Sequence, residues 1–248
     1  MKTKEKNKRL RGWKCAVIAL TLLFVGIGVA FTNPKKQSSV DEPKVSVYSE
    51  VQLHAFWDEN LKTIVQDQWA ANQLPYPLIN EHCRKLRAQI VAHSGTGLQI
   101  RMSTNYHWAS TLVEAAAGFD SSNNAVSICL FIPSILDSYQ ALERSAKPLW
   151  WELFDSHQIV LLMHELEHAA KPDISSDVVI NVAEESRAWA ETCRNTIVPL
   201  VDTYKIPIHN IEANLYLAWK QCGGDTNSPI WRKVIEKYYG SFDGRKEK

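Results

Sequence analysis

The feature that most constrains this fold is a helical segment, from about Trp150 to Ala170, that is apolar on nearly all of its faces. A helix of this kind belongs in the interior of a protein. Near its end, however, the run His164-Glu165-Leu166-Glu167-His168 places two histidines and two glutamates within five residues. Buried imidazoles and carboxylates need partners, so we expect this helix to hold a polar centre within the core.

The spacing of the two histidines suggests what that centre binds. His164 and His168 lie four residues apart, so both imidazoles project from one helix face, one turn from each other, and can bind one metal ion. Glu165 lies beside that face, where it can hold a metal-bound water and accept its proton during attack on a carbonyl. Zinc best suits two imidazoles and a carboxylate around an open position. A pair of hydrogen-bonded core histidines is the alternative that needs no metal.

A catalytic zinc site needs a third protein ligand, and the next predicted helix, from about Ser175 to Tyr204, offers two adjacent glutamates. Plotted at about 100° per residue, Glu185 falls at the edge of the apolar face and Glu184 roughly opposite that face. We therefore predict Glu185 as the ligand and Glu184 as a solvated surface carboxylate. Arg187 is interpreted as a surface charge, with a contact to a carboxylate as the alternative.

The N-terminus predicts export from the cytoplasm. A basic cluster precedes an uncharged apolar run from Cys15 to about Thr32, which is long enough to cross a bilayer with its basic side in the cytoplasm. We predict a basic tail at 1–14, a transmembrane anchor at 15–32, a polar linker at 33–46 and one extracytoplasmic domain at 47–248. A cleaved signal peptide, giving a secreted protein, is the alternative. The formal net charge is only +1, so the rest of the chain is acidic and nucleic-acid binding is not expected.

Hydrophobic periodicity places helices before and after a group of strands. The predicted helices are Ser49–Asn72, Leu78–His93, Ser134–Lys147, Trp150–Ala170, Ser175–Tyr204, Pro207–Gln221 and Pro229–Tyr239. The predicted strands are Leu98–Met102, Thr111–Phe119 and Ala125–Ile132. This order favours an α+β fold, with a small antiparallel sheet packed on a mostly helical domain.

Outside the cytoplasm, the cysteines of the domain would meet an oxidising environment. Cys83, Cys129, Cys193 and Cys222 permit two disulfides, and buried free thiols are the alternative.

The segment from about Leu98 to Tyr204 resembles the zincin metallopeptidases, in particular the gluzincin branch to which thermolysin belongs. The resemblance rests on His164-Glu165-x-x-His168, on Glu185-x-x-Ala188 and on the strand before the motif helix. It implies a zincin-like fold, His164, His168 and Glu185 as zinc ligands, Glu165 as catalytic base, and a peptide or protein substrate. It also implies that Ala125–Ile132 is the edge strand on which an extended substrate pairs.

Two features depart from the family pattern. Many members have an uncharged residue where this chain has Glu167, and the step from His168 to Glu185 differs from that in thermolysin. No role is predicted for Glu167. The family stabilises the oxyanion with a Tyr, His or Arg, for which Tyr204 and His209 are candidates by position, whereas His157 is predicted to be a core histidine or a partner of a ligand.

Two further hypotheses compete with a peptidase. The first is a binding or structural module in which a metal only braces the helices, with a fourth ligand from Asp155, Asp173 or Asp177. The second is a metallohydrolase of a non-peptide substrate. The sequence has no pattern that predicts an oligomeric state.

Overall fold

The computed structural model describes residues 46–70, 73–95, 97–107, 111–120, 125–145, 150–171 and 182–221. The predicted basic tail, the anchor, nearly all of the linker and the predicted helix Pro229–Tyr239 lie outside these residues. Within the described ranges, no helix combines the length and apolar character needed to span a membrane. This part of the chain is α+β, mostly helical with one small sheet.

The first helical segment begins with a capped turn. Helix α1 is Glu50–Phe56, and helical structure continues with π-type hydrogen bonding at Trp57–Leu61 and Thr63–Ala70. The Ser49 hydroxyl accepts a hydrogen bond from the backbone N–H of Gln52, and the Gln52 side chain accepts one from the backbone N–H of Ser49. This reciprocal pair satisfies backbone donors that the first turn of a helix leaves open.

Helix α2 spans Pro77–Ser94 and is bounded by residues suited to helix ends. Pro77 lies in its first turn, and Gly95 follows its last turn with a left-handed backbone (φ 69°), which glycine adopts without steric cost. The hydroxyl of Tyr204 accepts a hydrogen bond from the backbone N–H of Leu78, at 2.7 Å. Tyr204 therefore caps α2, and this contact gives no support to its predicted oxyanion role.

The sheet has three strands: β1 at Gln99–Ser103, β2 at Ala115–Asp120 and β3 at Ala125–Phe131. Their order is β1-β3-β2, with β2 antiparallel to β3 and β1 parallel to β3. The prediction of an antiparallel sheet is therefore wrong for one of the two pairings. The short connection between β2 and β3 favours a hairpin, whereas the longer segment between β1 and β2 lets β1 pair on the far side of β3.

In the described chain, the sheet is followed by helices α3 (Ile132–Ser145), α4 (Trp150–Ala169), α5 (Val182–Thr192) and α6 (Glu212–Gln221). Helix α5 continues with π-type hydrogen bonding at Cys193–Ile197 and Pro199–Thr203, and a 3₁₀ turn at Ile208–Ile211 leads into α6.

Helix α4 lies at the centre of the fold. It packs against β2, β3, α2, α3, α5 and α6, and its residues from Ile159 to Met163 are all buried, together with Leu166. The prediction of a buried helix is confirmed. Trp189 of α5, one of the largest fully buried side chains, joins the same core. The polar motif of α4 therefore lies among apolar side chains, where each charged group needs a partner.

The described cysteines are not joined to one another by a disulfide. Cys83 and Cys193 are buried and Cys129 is partly buried. Burial raises the pKa of the Cys83 thiol to about 11, which keeps it protonated and unreactive near neutral pH. Cys222 lies outside the described residues.

Candidate metal centre

Helix α4 brings its two motif histidines together at one point. The Nε2 atoms of His164 and His168 are 3.2 Å apart, and their rings meet nearly edge to face. His164 is only 2% exposed. The four-residue spacing thus produces the convergence that helix geometry predicts.

Helix α5 adds the predicted carboxylate to this pair. One carboxylate oxygen of Glu185 lies 3.3 Å from Nε2 of His164, and the other lies 3.5 Å from Nε2 of His168. One potential ligand atom from each of the three side chains lies within 4.8 Å of the other two, so this His164–His168–Glu185 centre could hold a metal ion. Among the described residues it is the one such group, and Asp155 is not part of it. Asp173 and Asp177 lie outside the described residues.

The separations within the centre are short enough for one metal ion to contact all three side chains. The two Nε2 atoms are 3.2 Å apart, close to the roughly 3.3–3.4 Å between two ligand atoms that lie about 2.0–2.1 Å from a tetrahedral metal. The 3.3 and 3.5 Å contacts of Glu185 are made by its two different oxygens. The Glu185 oxygen nearest His164 is also buried and makes no hydrogen bond within the described structure, so it is available to a cation.

The electrostatics of the centre favour a positive charge. Burial disfavours a charged His168, but hydrogen bonds and charges from Glu185, Glu165 and Glu184 outweigh this effect and raise the pKa of His168 to about 9. Burial likewise opposes ionisation of Glu185, yet its close contacts with the two histidines lower its pKa to about 2. A proton or a metal cation can supply the charge that these groups attract.

No protein-family model, curated protein or solved structure matches this chain. The chemistry of the centre is therefore inferred from its own residues.

The helical plot predicts that Glu184 is a solvated surface carboxylate, and this prediction is wrong. Glu184 instead orients a histidine of the centre. Its Oε1 lies 3.2 Å from Nδ1 of His168. Arg187 donates to both of its oxygens, at 2.7 and 3.0 Å, and Lys171 donates to Oε2 at 2.8 Å. The prediction of Arg187 as a simple surface charge is also wrong. A carboxylate on Nδ1 fixes the tautomer that leaves Nε2 free to bind a metal.

His164 is held differently from His168. Its ring stacks on the indole of Trp189, with ring centres 3.9 Å apart and planes inclined by 19°. Trp189 is fixed in turn by a hydrogen bond from its Nε1 to the Gln221 side chain, at 2.6 Å. The sequence did not predict the contact of Trp189 with His164, because this contact depends on how α5 packs on α4.

Glu165 lies beside the centre and is bound to the sheet. It is 7% exposed, and its Oε2 accepts a hydrogen bond from the backbone N–H of Ala117 in β2, at 2.8 Å. The contribution of Ala117 is made by the backbone, so no side-chain pattern could have revealed it.

The strand beside the centre is β2, and the prediction that Ala125–Ile132 is the edge strand is wrong. Strand β3 pairs with β1 on one side and β2 on the other, so neither of its edges is open to a substrate. Strand β2 is at the edge of the sheet and packs against α4. The β-branched and apolar character of β3 reflects its central position in the sheet, where Val126, Ile128 and Leu130 are buried and the residues between them are partly buried. The sequence pattern does not distinguish this position from an edge next to a cleft.

Glu167, which had no predicted role, links three helices. It is 4% exposed, its Oε1 lies 2.6 Å from Nε2 of His82 in α2, and its backbone carbonyl accepts a hydrogen bond from Arg187 of α5 at 2.9 Å. No sequence pattern indicated that His82 lies near the motif, because α2 is far from it along the chain.

His157 is a core histidine, which is one of the two roles predicted for it. It is buried, and its Nε2 lies 3.1 Å from a carboxylate oxygen of Glu114. The Glu114 carboxylate also accepts hydrogen bonds from Ser138 and Gln158. His209 lies in the 3₁₀ turn before α6, and its side chain lies outside the described part of the structure.

Proposed function

We propose that this chain is a membrane-anchored zinc metallopeptidase of the zincin type. The observation that carries the proposal is the His164–His168–Glu185 centre, where two imidazoles and one carboxylate come close enough to bind one metal ion, a set of ligands that suits catalytic zinc. The buried Glu165 beside it supplies the base that hydrolysis requires.

The residues of the centre divide the chemistry between them. His164, His168 and Glu185 would hold the zinc, and Glu184 and Trp189 fix the two imidazoles. Zinc, when bound, acts as a Lewis acid that polarises a carbonyl and lowers the pKa of a water. Because Oε2 of Glu165 is bound by the Ala117 amide, Oε1 is left to accept a proton from the attacking water and return it to the leaving amine.

A peptide is the substrate class that the surroundings favour. Strand β2 is at the edge of the sheet next to the base, and an extended peptide can add to such an edge through main-chain hydrogen bonds. Residues 115–118 of this strand are Ala-Ala-Ala-Gly, so this edge carries no bulky side chain. The apolar run Cys15–Thr32 supports an anchor that places the domain outside the cytoplasm.

One observation favours the alternative of a metal-braced module without catalysis. The hydrogen bond between Glu165 and Ala117 ties α4 to β2, so this carboxylate also has a structural use. Activity and metal content separate the two functions.

The test uses purified protein that includes the N-terminal segment. Elemental analysis should find one zinc per chain, and His164→Gln should lose it. Glu165→Gln should retain the zinc but cleave a library of quenched fluorescent peptides at least 100-fold more slowly, in line with the typical contribution of a general base. Glu191→Gln, a change of the same type at a surface position of α5, is the control and should retain both.

Three results would contradict the proposal. Absence of zinc would reject the metal centre. Stoichiometric zinc with no peptide cleavage at any pH, and lower thermal stability after chelation, would favour the braced module. Unchanged cleavage by Glu165→Gln would reject Glu165 as the base.

A further inference from the structure

Helix α4 contacts strand β2 at one point and the residue just before this strand at another. Near the metal centre, Glu165 accepts the hydrogen bond from the Ala117 N–H. Toward the N-terminus of α4, the carboxylate of Glu114, which immediately precedes β2, contacts Nε2 of His157 at 3.1 Å and accepts a hydrogen bond from Gln158 at 3.2 Å. Both contacts involve buried groups of α4.

The two contacts are matched in spacing. From His157 to Glu165 a helix rises by about 12 Å, at about 1.5 Å per residue. From Glu114 to Ala117 a strand rises by about 10 Å, at about 3.3 Å per residue. Because both intervals run in the direction of the chain, fixing Glu114 against His157 also fixes which residue of β2 lies beside Glu165.

The hydrogen-bond register explains why Ala117 is the donor. The backbone carbonyl of Glu114 accepts a hydrogen bond from the N–H of Phe131, so Glu114 directs its backbone groups toward β3. In an antiparallel pair the direction alternates along the strand, and Ala117 is three positions on, opposite Ile128. Its N–H therefore points away from β3 and toward Glu165. A slip of one residue would turn this donor into the sheet.

The pair of Glu114 and His157 is costly to bury. A buried ion pair is often no more stable than apolar residues of the same size, so stability alone does not account for this pair. Its partners come from several elements: Ser138 of α3 donates to Glu114, and the Asn214 side chain of α6 donates to the backbone carbonyl of His157, at 3.3 Å. The pair is therefore fixed relative to the helices and can set the position of the strand.

We propose that Glu114 and His157 form a register clamp that holds the Ala117 N–H against Glu165 and thereby orients the carboxylate of the base. Glu114 is then a positioning residue, because it acts on the reaction through Ala117 and touches neither metal nor substrate. This inference rests on the proposed function for its catalytic consequence, but the position of the Ala117 amide can be measured without any activity.

The first test is Glu114→Gln, which removes the charge with little change of shape. Amide hydrogen exchange at Ala117, followed by NMR in the zinc-loaded protein, should accelerate by at least about 10-fold, because β3 does not protect this N–H. With the fluorescent peptides, kcat should fall about 10- to 100-fold, while KM and zinc content stay unchanged, as expected for a misplaced catalytic group.

The matched control is Asp137→Asn. Asp137 is a carboxylate of α3 that accepts hydrogen bonds from the Tyr48 and Tyr106 hydroxyls. Neither of these hydrogen bonds joins it to β2 or α4. It should leave both Ala117 exchange and kcat as in the wild type. If Glu114→Gln fails to fold, Gln158→Leu removes one donor to Glu114 and should change both quantities in the same direction by a smaller factor.

Ala117→Pro tests the other half of the inference. Proline removes the N–H, and because this N–H does not belong to the ladder with β3, the edge strand can accept it. We expect a fall in kcat with unchanged KM and zinc content.

The outcomes separate the two proposals. Unchanged Ala117 exchange in folded Glu114→Gln, or in Gln158→Leu where that variant takes its place, overturns the clamp. A higher KM with unchanged kcat in Ala117→Pro also overturns it, since the N–H would then serve the substrate. If the wild type cleaves no peptide, the proposed function fails, while the exchange measurements still decide whether the clamp exists.

Discussion

Glu184 allows the tightest test of how the metal centre is held, because it touches one ligand and is not itself a ligand. Its carboxylate accepts hydrogen bonds from Arg187 and Lys171 and lies 3.2 Å from Nδ1 of His168. Burial opposes its ionisation, but these donors outweigh burial and lower the pKa of Glu184 to about 2. It is therefore charged at any pH at which the imidazoles can bind a metal.

The change Glu184→Gln leaves one acceptor oxygen where the carboxylate has two. If the amide oxygen faces His168, the amide NH₂ faces Arg187 and Lys171, which are donors themselves. If it faces those residues, His168 loses its acceptor. Either arrangement weakens the orientation of the His168 ring. Loss of such a partner typically costs 10- to 100-fold in metal affinity, which corresponds to about 1.4–2.8 kcal/mol in binding free energy.

The assay is competition for zinc against a chromophoric chelator near neutral pH, with circular dichroism to show that the metal-free variant is folded. Glu191→Gln is the matched control, because Glu191 is in the same helix and pairs with Arg194 at the same three-residue spacing that joins Glu184 to Arg187. It should bind zinc as the wild type does. An unchanged zinc Kd for Glu184→Gln, or an equal loss in the control, would refute the orienting role.

Three further measurements test other parts of the structure. Removal of zinc by a chelator should lower the free energy of unfolding by about 4 kcal/mol, relative to protein in free zinc at about 1,000 times Kd. The loss should be seen as a lower melting temperature. An unchanged melting temperature would mean that no metal is bound. Trp189→Ala should lower the free energy of unfolding, measured with urea, by about 3–5 kcal/mol. A loss below about 1 kcal/mol would contradict the burial of Trp189 beneath His164. Burial opposes charge on both Glu114 and His157, but their mutual attraction outweighs it, lowering the pKa of Glu114 below 4.5 and raising the pKa of His157 above 6.5. The stability that the pair contributes should therefore be greatest between about pH 4.5 and 6.5. It should fall at lower pH as Glu114 is protonated and at higher pH as His157 is deprotonated. The prediction is contradicted if the urea midpoint of the wild type, compared with that of the Glu114→Gln/His157→Gln variant, shows no such pH dependence.

Much of the fold follows from local pattern. The helical periods predicted α2 and α4, and the helical segment that begins with α1 and continues to Ala70, to within a few residues, because these signals depend on neighbours along the chain. The pairing of the strands was not predictable in the same way. Whether β1 lies beside β2 or beyond β3 depends on the path of residues 104–114, and nothing in the strands themselves records that path.

The candidate centre shows the same division. The sequence by itself determined that His164 and His168 converge and that Glu165 lies beside them, because the helix period fixes these positions. It also favoured Glu185 over Glu184 as the third ligand, and the structure brings Glu185 to the Nε2 atoms of both histidines. Only the tertiary structure decided that Glu184 orients His168, that His82 meets Glu167, and that β2 supplies the Ala117 N–H to Glu165. These contacts join elements far apart in the chain, and their geometry is set by the packing of α2, α5 and β2 around α4, which no local pattern encodes.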